Sequence, residues 1–166
     1  MAITIRQERD GDYRAIHDIT KRAFAPMPFA DGDEQDLPEK FRAAGVLALS
    51  LVAERDGVVV GQVTFTPALS ADDSPGWFAL GPVAVEPEHQ GEGIGGALIR
   101  AGIEWMRDQD AAGCVLVGNP AYYVRFGFSG SPQLAPEDEP AEYYQILPLR
   151  VQKPNAIVRF HPIFYS

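Results

Sequence analysis

The strongest local signal in this chain is residues 83–98, which read VAVEPEHQGEGIGGAL. An apolar run ends at Val85, a short polar turn follows, and four of the positions 91–96 are glycine ahead of an apolar segment with helical spacing. Glycine lets backbone N–H groups approach a ligand closely, and a helix N-terminus carries a partial positive charge. The stretch therefore predicts a strand, a turn and a helix start able to hold a pyrophosphate. The alternative is a glycine-rich helix start that serves close packing alone.

Around this stretch, apolar runs and helical spacing predict an α+β fold. We expect a central, mostly antiparallel sheet flanked by helices. The predicted strands are residues 3–6, 47–54, 58–67, 77–85, 113–117, 142–147 and 156–160, and the predicted helices are residues 10–24, 34–44 and 94–108. The last two strands are expected to close the sheet. Asp10 or Asp12 is expected to cap the first helix.

Three turn and breaker signals refine this outline. Asp56-Gly57 lies between the second and third strands and favours a tight hairpin, because both central positions of a type I′ turn require positive φ. Gly81-Pro82 interrupts the fourth strand, and irregular pairing is expected there because proline has no N–H. Pro38 is expected to restrict the second helix to its C-terminal half.

Length and composition indicate one globular domain over residues 1–166. The chain is 46% hydrophobic and 22% charged, which is unlike the composition of disordered chains. No signal-peptide pattern opens the chain, and no apolar run approaches the roughly 20 residues that span a bilayer. We therefore expect a cytoplasmic protein without a membrane partner, as a monomer or a homodimer.

The charge balance argues against a nucleic-acid partner. Fourteen Lys and Arg residues against 23 Asp and Glu residues give a net charge of −9, and no basic cluster occurs. An anionic cofactor must then be held by local backbone dipoles. Cys114 is the only cysteine and the three histidines lack metal-ligand spacing, so no disulfide and no metal site are expected.

Two other phosphate-binding motifs fit these glycines poorly. Gly91-x-Gly93-x-x-Gly96 matches a dinucleotide fingerprint, but that motif follows the first strand of a βαβ unit and needs an acidic residue about 20 positions later. Here the next strand ends in Val117-Gly118-Asn119, which contains no Asp or Glu. A nucleotide-hydrolase loop needs Gly-Lys-Ser/Thr after its glycines, and none follows.

Two motifs resemble those of the GNAT superfamily of N-acetyltransferases. Gln90-x-x-Gly93-x-Gly95 is similar to the family's acyl-CoA pyrophosphate motif, which often begins with Arg where this chain has Gln. Tyr123-x-x-x-Gly127-Phe128 is similar to the element that supplies the family's usual general acid. Residues 119–128, which read NPAYYVRFGF, resemble a bacterial branch of the family with the pattern Asn-Pro-x-Tyr-Tyr-x-Arg-Phe-Gly-Phe.

The resemblance implies a GNAT-like acyl-CoA N-acyltransferase fold with acetyl-CoA as cosubstrate. In the family the sheet is splayed between its fourth and fifth strands, here residues 80–85 and 113–117, and pantetheine lies in the gap. A backbone N–H at Val83 or its neighbours would polarise the thioester carbonyl, and that of Val85 would hold pantetheine. The implied cofactor-binding residues are Val83, Ala84, Val85, Gln90, Gly91, Glu92, Gly93, Ile94, Gly95, Gly96, Asn119, Tyr123 and Arg125.

The implied reaction is direct attack of a neutral primary amine, on a small molecule or a protein, on acetyl-CoA in a ternary complex. Tyr123 would donate a proton to the departing thiolate, which is typically worth about 100-fold to 10,000-fold. The alternative for Tyr123 is a packed aromatic side chain, and Tyr122 is its close competitor. A non-catalytic acyl-CoA-binding sensor module is the alternative for the whole chain.

The general base is the least determined part of this mechanism. Glu34 matches a glutamate of the bacterial branch and is the first candidate for the base, and Glu86, His89 and a water chain are the alternatives. Cys114 has no adjacent histidine, so a small buried hydrophobe is favoured over an acyl-enzyme nucleophile.

Overall fold

The computed structural model describes residues 2–28 and 30–166. Its elements form a mixed α+β fold, which confirms the predicted fold class. The strands are β1 (Thr4–Gln7), β2 (Leu49–Arg55), β3 (Val58–Pro67), β4 (Leu69–Ser70), β5 (Trp77–Val85), β6 (Gly113–Val117), β7 (Ser129–Gly130), β8 (Tyr144–Pro148) and β9 (Val158–Arg159). The α-helices are α1 (Tyr13–Phe24), α2 (Leu37–Ala44), α3 (Ile94–Asp108) and α4 (Pro120–Tyr123).

Seven strands form one mostly antiparallel sheet in the order β1-β2-β3-β5-β6-β8-β7. Strands β5 and β6 are parallel neighbours, and their ladder ends at the pair Ala79 and Val115 although both strands continue. Strand β9 pairs with β4 in a separate two-stranded sheet. The prediction that residues 156–160 close the main sheet is therefore wrong. Instead β7 holds the outer position beside β8, and its two residues, Ser129 and Gly130, carry no strand signal in the sequence.

The hairpin between β2 and β3 confirms its sequence signal. Asp56 has φ 55° and Gly57 has φ 78°. Arg55 and Val58, the residues on either side, face each other across the ladder. Two consecutive positive φ values are what a type I′ turn requires, and glycine meets this requirement without strain.

The two expectations about helix starts are met in part. Asp12 is the N-cap residue of α1, but it forms no side-chain cap, because its carboxylate accepts the backbone N–H of Arg9 at 2.7 Å and binds the Arg6 guanidinium at 2.7 Å. The second α-helix is shortened at its N-terminal end, since residues 34–36 form a 3₁₀ turn, but it begins at Leu37 and includes Pro38 in its first turn. A first-turn proline is tolerated because its N–H would have no helical partner in any case. Across residues 2–28 and 30–166, no helix is both long and apolar enough to cross a membrane.

The chain divides into two compact units, and the first comprises residues 1–65 and 81–102. In this unit, the buried cluster of Ile19, Ala23 and Ala84 joins α1 to β5. A Cβ on Gly61 would meet Ile94 of α3, whereas the neighbouring Gln62 bonds Thr20 of α1. Since successive side chains of a strand point to opposite faces, α1 and α3 cover opposite faces of β3.

The second unit comprises residues 66–80 and 103–166. Its core is an apolar cluster that includes Trp77, Val115, Tyr144 and Phe160. The Tyr144 hydroxyl donates to the Val158 carbonyl at 2.7 Å, which satisfies a polar group in that core. Segments that are distant in sequence thus share one buried cluster.

Candidate active site

The turn between β5 and α3 has the backbone conformation that its glycines predict. After a 3₁₀ turn at Pro87–His89 the chain passes through Gly91 at φ 82° and Gly93 at φ 84°. Side chains with a Cβ rarely adopt these values. The Gln90 amide donates to the Val85 carbonyl at 3.2 Å, so the side chain at the first motif position ties the turn to the end of β5.

The start of α3 provides backbone donors. The first helical hydrogen bond here runs from the Ala97 N–H to the Gly93 carbonyl at 3.1 Å. The N–H groups of Ile94, Gly95 and Gly96 precede it and have no acceptor inside the helix. The Ile94 side chain is buried, which anchors this end of the helix. These donors and the helix dipole make a cradle of backbone groups that is able to hold an anion.

A long-range ion pair fixes the acidic side chain of this cradle. The Arg55 guanidinium donates to the Glu92 carboxylate at 2.6 Å, and this contact holds the pKa of Glu92 below its ordinary value. The His89 Nδ1 atom lies 3.3 Å from Arg55 and 3.4 Å from Glu92. Because Glu92 is paired, its charge opposes a bound anion less. Sequence reasoning missed Arg55, which lies 37 positions before Glu92.

The strand residues before the turn alternate in burial. Ala84 is buried, whereas Val83 and Val85 are half-buried. The ladder with β6 stops at Ala79, ahead of all three residues. Their backbone thus lies in the part of β5 that follows the irregular Gly81-Pro82 step, where Gly81 has φ 137°.

Tyr123 is held at the end of α4 by a local cap. The Asn119 side-chain oxygen accepts the N–H of Ala121 at 3.0 Å, and the Asn119 carbonyl accepts the N–H groups of Tyr122 and Tyr123 at 3.1 Å and 3.2 Å. Asparagine is among the preferred N-cap residues because its short side chain can accept such a bond. Asn119, predicted as a cofactor ligand, therefore positions the helix that carries Tyr123.

The Tyr123 ring is enclosed by glycine and aromatic groups. A Cβ on Gly118 would come within 2.6 Å of the ring, and Phe128 packs edge-on at 6.0 Å between ring centroids. Burial raises the pKa of Tyr123 above its ordinary value, and Tyr122 and Cys114 shift it in the same direction. A phenol with a raised pKa is protonated at neutral pH, so Tyr123 has a proton to donate. The close approach at Gly118 was not anticipated from the sequence.

Tyr122 and Arg125 bind each other. The Arg125 guanidinium lies 4.6 Å from the centroid of the Tyr122 ring, and its Nε donates to the Tyr122 carbonyl at 2.8 Å. Arg125 is exposed. Tyr122 therefore contacts Arg125, whereas the Tyr123 ring packs against glycine and aromatic groups. Arg125 is held in place by stacking on the Tyr122 ring.

The three candidate bases have different partners. Both carboxylate oxygens of Glu86 accept from the Arg22 guanidinium, at 2.6 Å and 2.8 Å, and this contact holds the pKa of Glu86 below its ordinary value. His89 belongs to the cluster with Arg55 and Glu92 described above. The Glu34 carboxylate instead accepts the backbone N–H groups of residues 31 and 32, at 2.7 Å and 3.1 Å. Within the described ranges Glu34 forms no ion pair.

The predicted residues fall in both compact units. The first unit holds Val83, Ala84, Val85, Glu34 and the whole turn from Gln90 to Gly96, and the second holds Asn119, Tyr123 and Arg125. Cys114 is fully buried in β6, and burial raises the pKa of its thiol. A buried protonated thiol is a packing residue and a poor nucleophile, as the sequence indicated.

Comparisons with known proteins give one consistent result. The family model described as Acetyltransferase (GNAT) family matches residues 13–128, which include the glycine turn and the Tyr123 motif. The Escherichia coli K12 protein named uncharacterized N-acetyltransferase YjhQ is 43% identical over 134 residues, which are 80% of this chain and 71% of that protein.

Two solved structures are similar over almost the whole chain. A GNAT family acetyltransferase from Brucella melitensis, in complex with acetyl-CoA, is 41% identical with a TM-score of 0.87 and 98% of each chain covered. The E. coli protein YhbS, in complex with CoA, is 27% identical with a TM-score of 0.88, covering 99% of this chain and 92% of that one.

Proposed function

The chain belongs to the GNAT family of acetyltransferases, and from this we propose that it transfers the acetyl group of acetyl-CoA to a primary amine by direct attack in a ternary complex. The observation that carries the proposal is the family match over residues 13–128, which spans the backbone cradle and the Tyr123 motif together. The B. melitensis relative, bound to acetyl-CoA, supports the cosubstrate. The family match over residues 13–128 includes residues of both compact units, which supports a single acetyltransferase domain over residues 1–166.

The backbone cradle fits a pyrophosphate. In this proposal the N–H groups of the turn at Gly91 and Gly93 and of the first turn of α3 hold the phosphate oxygens. The first-turn N–H groups are suited to this because they lie at the helix N-terminus and have no acceptor in the helix. Gln90, Glu92, Ile94, Gly95 and Gly96 complete this segment. The backbone of Val83, Ala84 and Val85 binds pantetheine and the thioester, and Asn119 and Arg125 flank Tyr123 near the cofactor.

The chemistry then requires one bond to form and one to break. The amine nitrogen attacks the acetyl carbonyl carbon, negative charge develops on the carbonyl oxygen, and the carbon–sulfur bond breaks. A backbone N–H at Val83 would stabilise that oxygen, a contribution on the order of 100-fold or more for one such donor. The Tyr123 phenol gives its proton to the leaving sulfur, and the positively charged nitrogen of the intermediate loses one proton, which returns to the phenolate directly or through water.

The raised pKa of Tyr123 determines the pH range in which it acts. A phenol is a donor only below its pKa, which is ordinarily about 10. Because burial raises the pKa of Tyr123, its donor form persists through the ordinary titration range of tyrosine. Loss of activity at alkaline pH below about 10 is then not expected from this group.

The partners of the candidate bases favour Glu34. An amine bound as an ammonium must lose a proton before it attacks, and the acceptor must be free of a competing cation. Glu86 is occupied by Arg22, whereas the Glu34 carboxylate is oriented by two backbone N–H groups. We assign Glu34 as the general base on this difference.

The experiment that tests the proposal compares Tyr123→Phe with Tyr122→Phe. Release of CoA thiol from acetyl-CoA is followed across a panel of small amines and lysine peptides, and CoA binding is measured by calorimetry. We expect Tyr123→Phe to lower kcat by about 100-fold to 10,000-fold, since it removes the proton donor, with CoA binding within about threefold of the parent. Tyr122→Phe should retain kcat within about threefold, because its ring and carbonyl contacts to Arg125 survive.

Two outcomes would contradict the proposal. Equal kcat in Tyr123→Phe and the parent would remove Tyr123 from the acid role. CoA binding without thiol release for any amine would instead favour an acyl-CoA-binding sensor.

A further inference from the structure

A buried polar cluster connects β3 to the irregular step of β5. The Thr64 hydroxyl donates to the Gly81 carbonyl at 2.9 Å and also lies 3.4 Å from the Pro82 carbonyl. The Gln62 amide donates to the same Pro82 carbonyl at 3.3 Å and to the Thr20 hydroxyl at 3.1 Å. All of these groups belong to the first compact unit.

This cluster is costly for a protein core. Gln62, Thr64 and Thr20 are each 0% exposed. The Gln62 side-chain oxygen is buried and has no hydrogen-bond partner in the described residues. A buried acceptor without a partner destabilises the fold. The amide at position 62 brings this cost, and in return it supplies a donor to the Pro82 carbonyl and to the Thr20 hydroxyl.

The geometry of the peptide unit links this cluster to Val83. The Pro82 carbonyl and the Val83 N–H belong to one planar trans peptide, so they point in opposite directions. Gln62 lies on the face of β3 that carries Thr20 of α1. The Pro82 carbonyl points to its donors, the Gln62 and Thr64 side chains of β3, so the Val83 N–H points away from them.

We propose that Gln62 and Thr64 are positioning residues that aim the Val83 N–H at the thioester carbonyl. Their hydrogen bonds hold the Gly81 and Pro82 carbonyls where the ordinary strand conformation is lost, at Gly81 with φ 137°. The inference rests on the proposed function, in which that N–H stabilises the charge on the carbonyl oxygen. An oxyanion donor is effective only when it is directed in advance at the oxygen.

The test uses Thr64→Val, which keeps the shape of the side chain and removes its donor, and Thr64→Ser, which restores the hydroxyl. Thr66→Val is the matched control, because Thr66 is a buried threonine of the same strand whose hydroxyl has no partner among the described residues. We expect Thr64→Val to lower kcat by about tenfold to 100-fold, with the Kd for CoA within about threefold of the parent. Thr64→Ser should recover most of kcat, and Thr66→Val should leave it unchanged.

A second readout does not need turnover. In acetyl-CoA labelled with ¹³C at the carbonyl, the infrared stretch of the bound thioester moves to lower frequency when a donor polarises it. We expect that shift in the parent and in Thr64→Ser, and a smaller shift in Thr64→Val. If Thr64→Val does not fold, Gln62→Met carries the same test, because it removes the other donor to Pro82.

The outcomes separate this inference from the proposed function. Unchanged kcat and an unchanged carbonyl stretch in folded Thr64→Val and Gln62→Met would overturn the positioning role. A parent protein that binds acetyl-CoA with the shifted stretch but acetylates no amine would overturn the proposed function alone. A parent stretch at its solution frequency would overturn the positioning role even if amines are acetylated.

Discussion

Glu34 illustrates how a carboxylate can be oriented without a cation. Its two oxygens accept the N–H groups of residues 31 and 32, directly before the 3₁₀ turn that leads into α2. Glu86 is the contrasting case, since its bidentate contact with Arg22 favours the charged form. The two glutamates thus differ in that a cation is bound to Glu86, whereas backbone N–H groups are bound to Glu34.

Substitution of Glu34 by Gln tests this assignment. We expect kcat at neutral pH to fall by about 100-fold or more, because the variant cannot accept the ammonium proton. The rate should also recover as the pH rises towards the pKa of the free amine, since the acceptor then arrives deprotonated. Rate–pH profiles for a single amine measure both effects.

Glu86→Gln serves as the control for that experiment. It should change kcat by less than about threefold, because Arg22 already occupies this carboxylate. A larger loss in Glu86→Gln than in Glu34→Gln would reverse the assignment of the base.

At the scale of single elements, the turn before α3 is sensitive to substitution at its positive-φ glycines. Gly93→Ala places a Cβ at φ 84°, which costs about 1–2 kcal/mol, and disturbs the donors that follow. We expect the Kd for CoA to rise at least about tenfold. Calorimetry with CoA measures the change.

Gly45→Ala is the matched substitution outside the turn. Gly45 ends α2 with φ 71°, so its stability loss should be similar while CoA binding is unchanged. Equal losses of affinity in Gly93→Ala and Gly45→Ala would show that destabilisation, and not the cradle, explains the effect.

The packing of α3 on β3 gives a second prediction at this scale. A Cβ on Gly102 would lie 2.2 Å from the Phe65 ring, whereas a Cβ on Gly130 would have no atom within 4 Å. Gly102→Ala should therefore lower the free energy of unfolding by about 1–3 kcal/mol, despite the better helix propensity of alanine. Gly130→Ala should stay within about 0.5 kcal/mol. Urea denaturation of both variants decides the matter, and equal stabilities would contradict the close contact.

Elements with strong local signals could be predicted from the sequence. The predicted helix at 94–108 has the same bounds as α3, and Asp56-Gly57 forms the expected turn, because apolar periodicity and positive φ are local properties. The pairing of β4 with β9 could not be predicted, because two residues are too few to show a strand pattern and each strand forms only by pairing with a distant segment.

The same distinction applies to the candidate site. The glycine turn was predictable because the required backbone conformation restricts residue type. The contacts of Arg55 with Glu92 and of Gln62 with Pro82 join residues 37 and 20 positions apart, and no local pattern marks them. Side-chain partners of this kind depend on the folded arrangement.

For the whole molecule, a net charge of −9 sets how salt affects the binding of an anionic cofactor. A basic site loses affinity as ions screen its attraction, whereas an acidic protein repels the ligand at long range and gains from screening. We expect the Kd for CoA to stay level or fall between about 20 mM and about 300 mM NaCl. Calorimetry at several salt concentrations measures this dependence.

A Kd that rises tenfold over this range would contradict a cradle made of backbone dipoles. Arginine side chains would then dominate phosphate binding, and Arg125→Gln would identify the contribution of the exposed guanidinium beside Tyr122.

The burial of Cys114 has a practical consequence for studies of the intact fold. The protein contains this single cysteine, and its side chain is 0% exposed. A chromogenic thiol reagent can therefore detect free CoA in an assay, because the buried thiol of the folded protein does not react with it. In the absence of CoA, the slow rate of Cys114 labelling measures how often the structure around β6 opens transiently. Ligands that stabilise this part of the molecule will lower the labelling rate. The Cys114 thiol can therefore report ligand binding without an added probe.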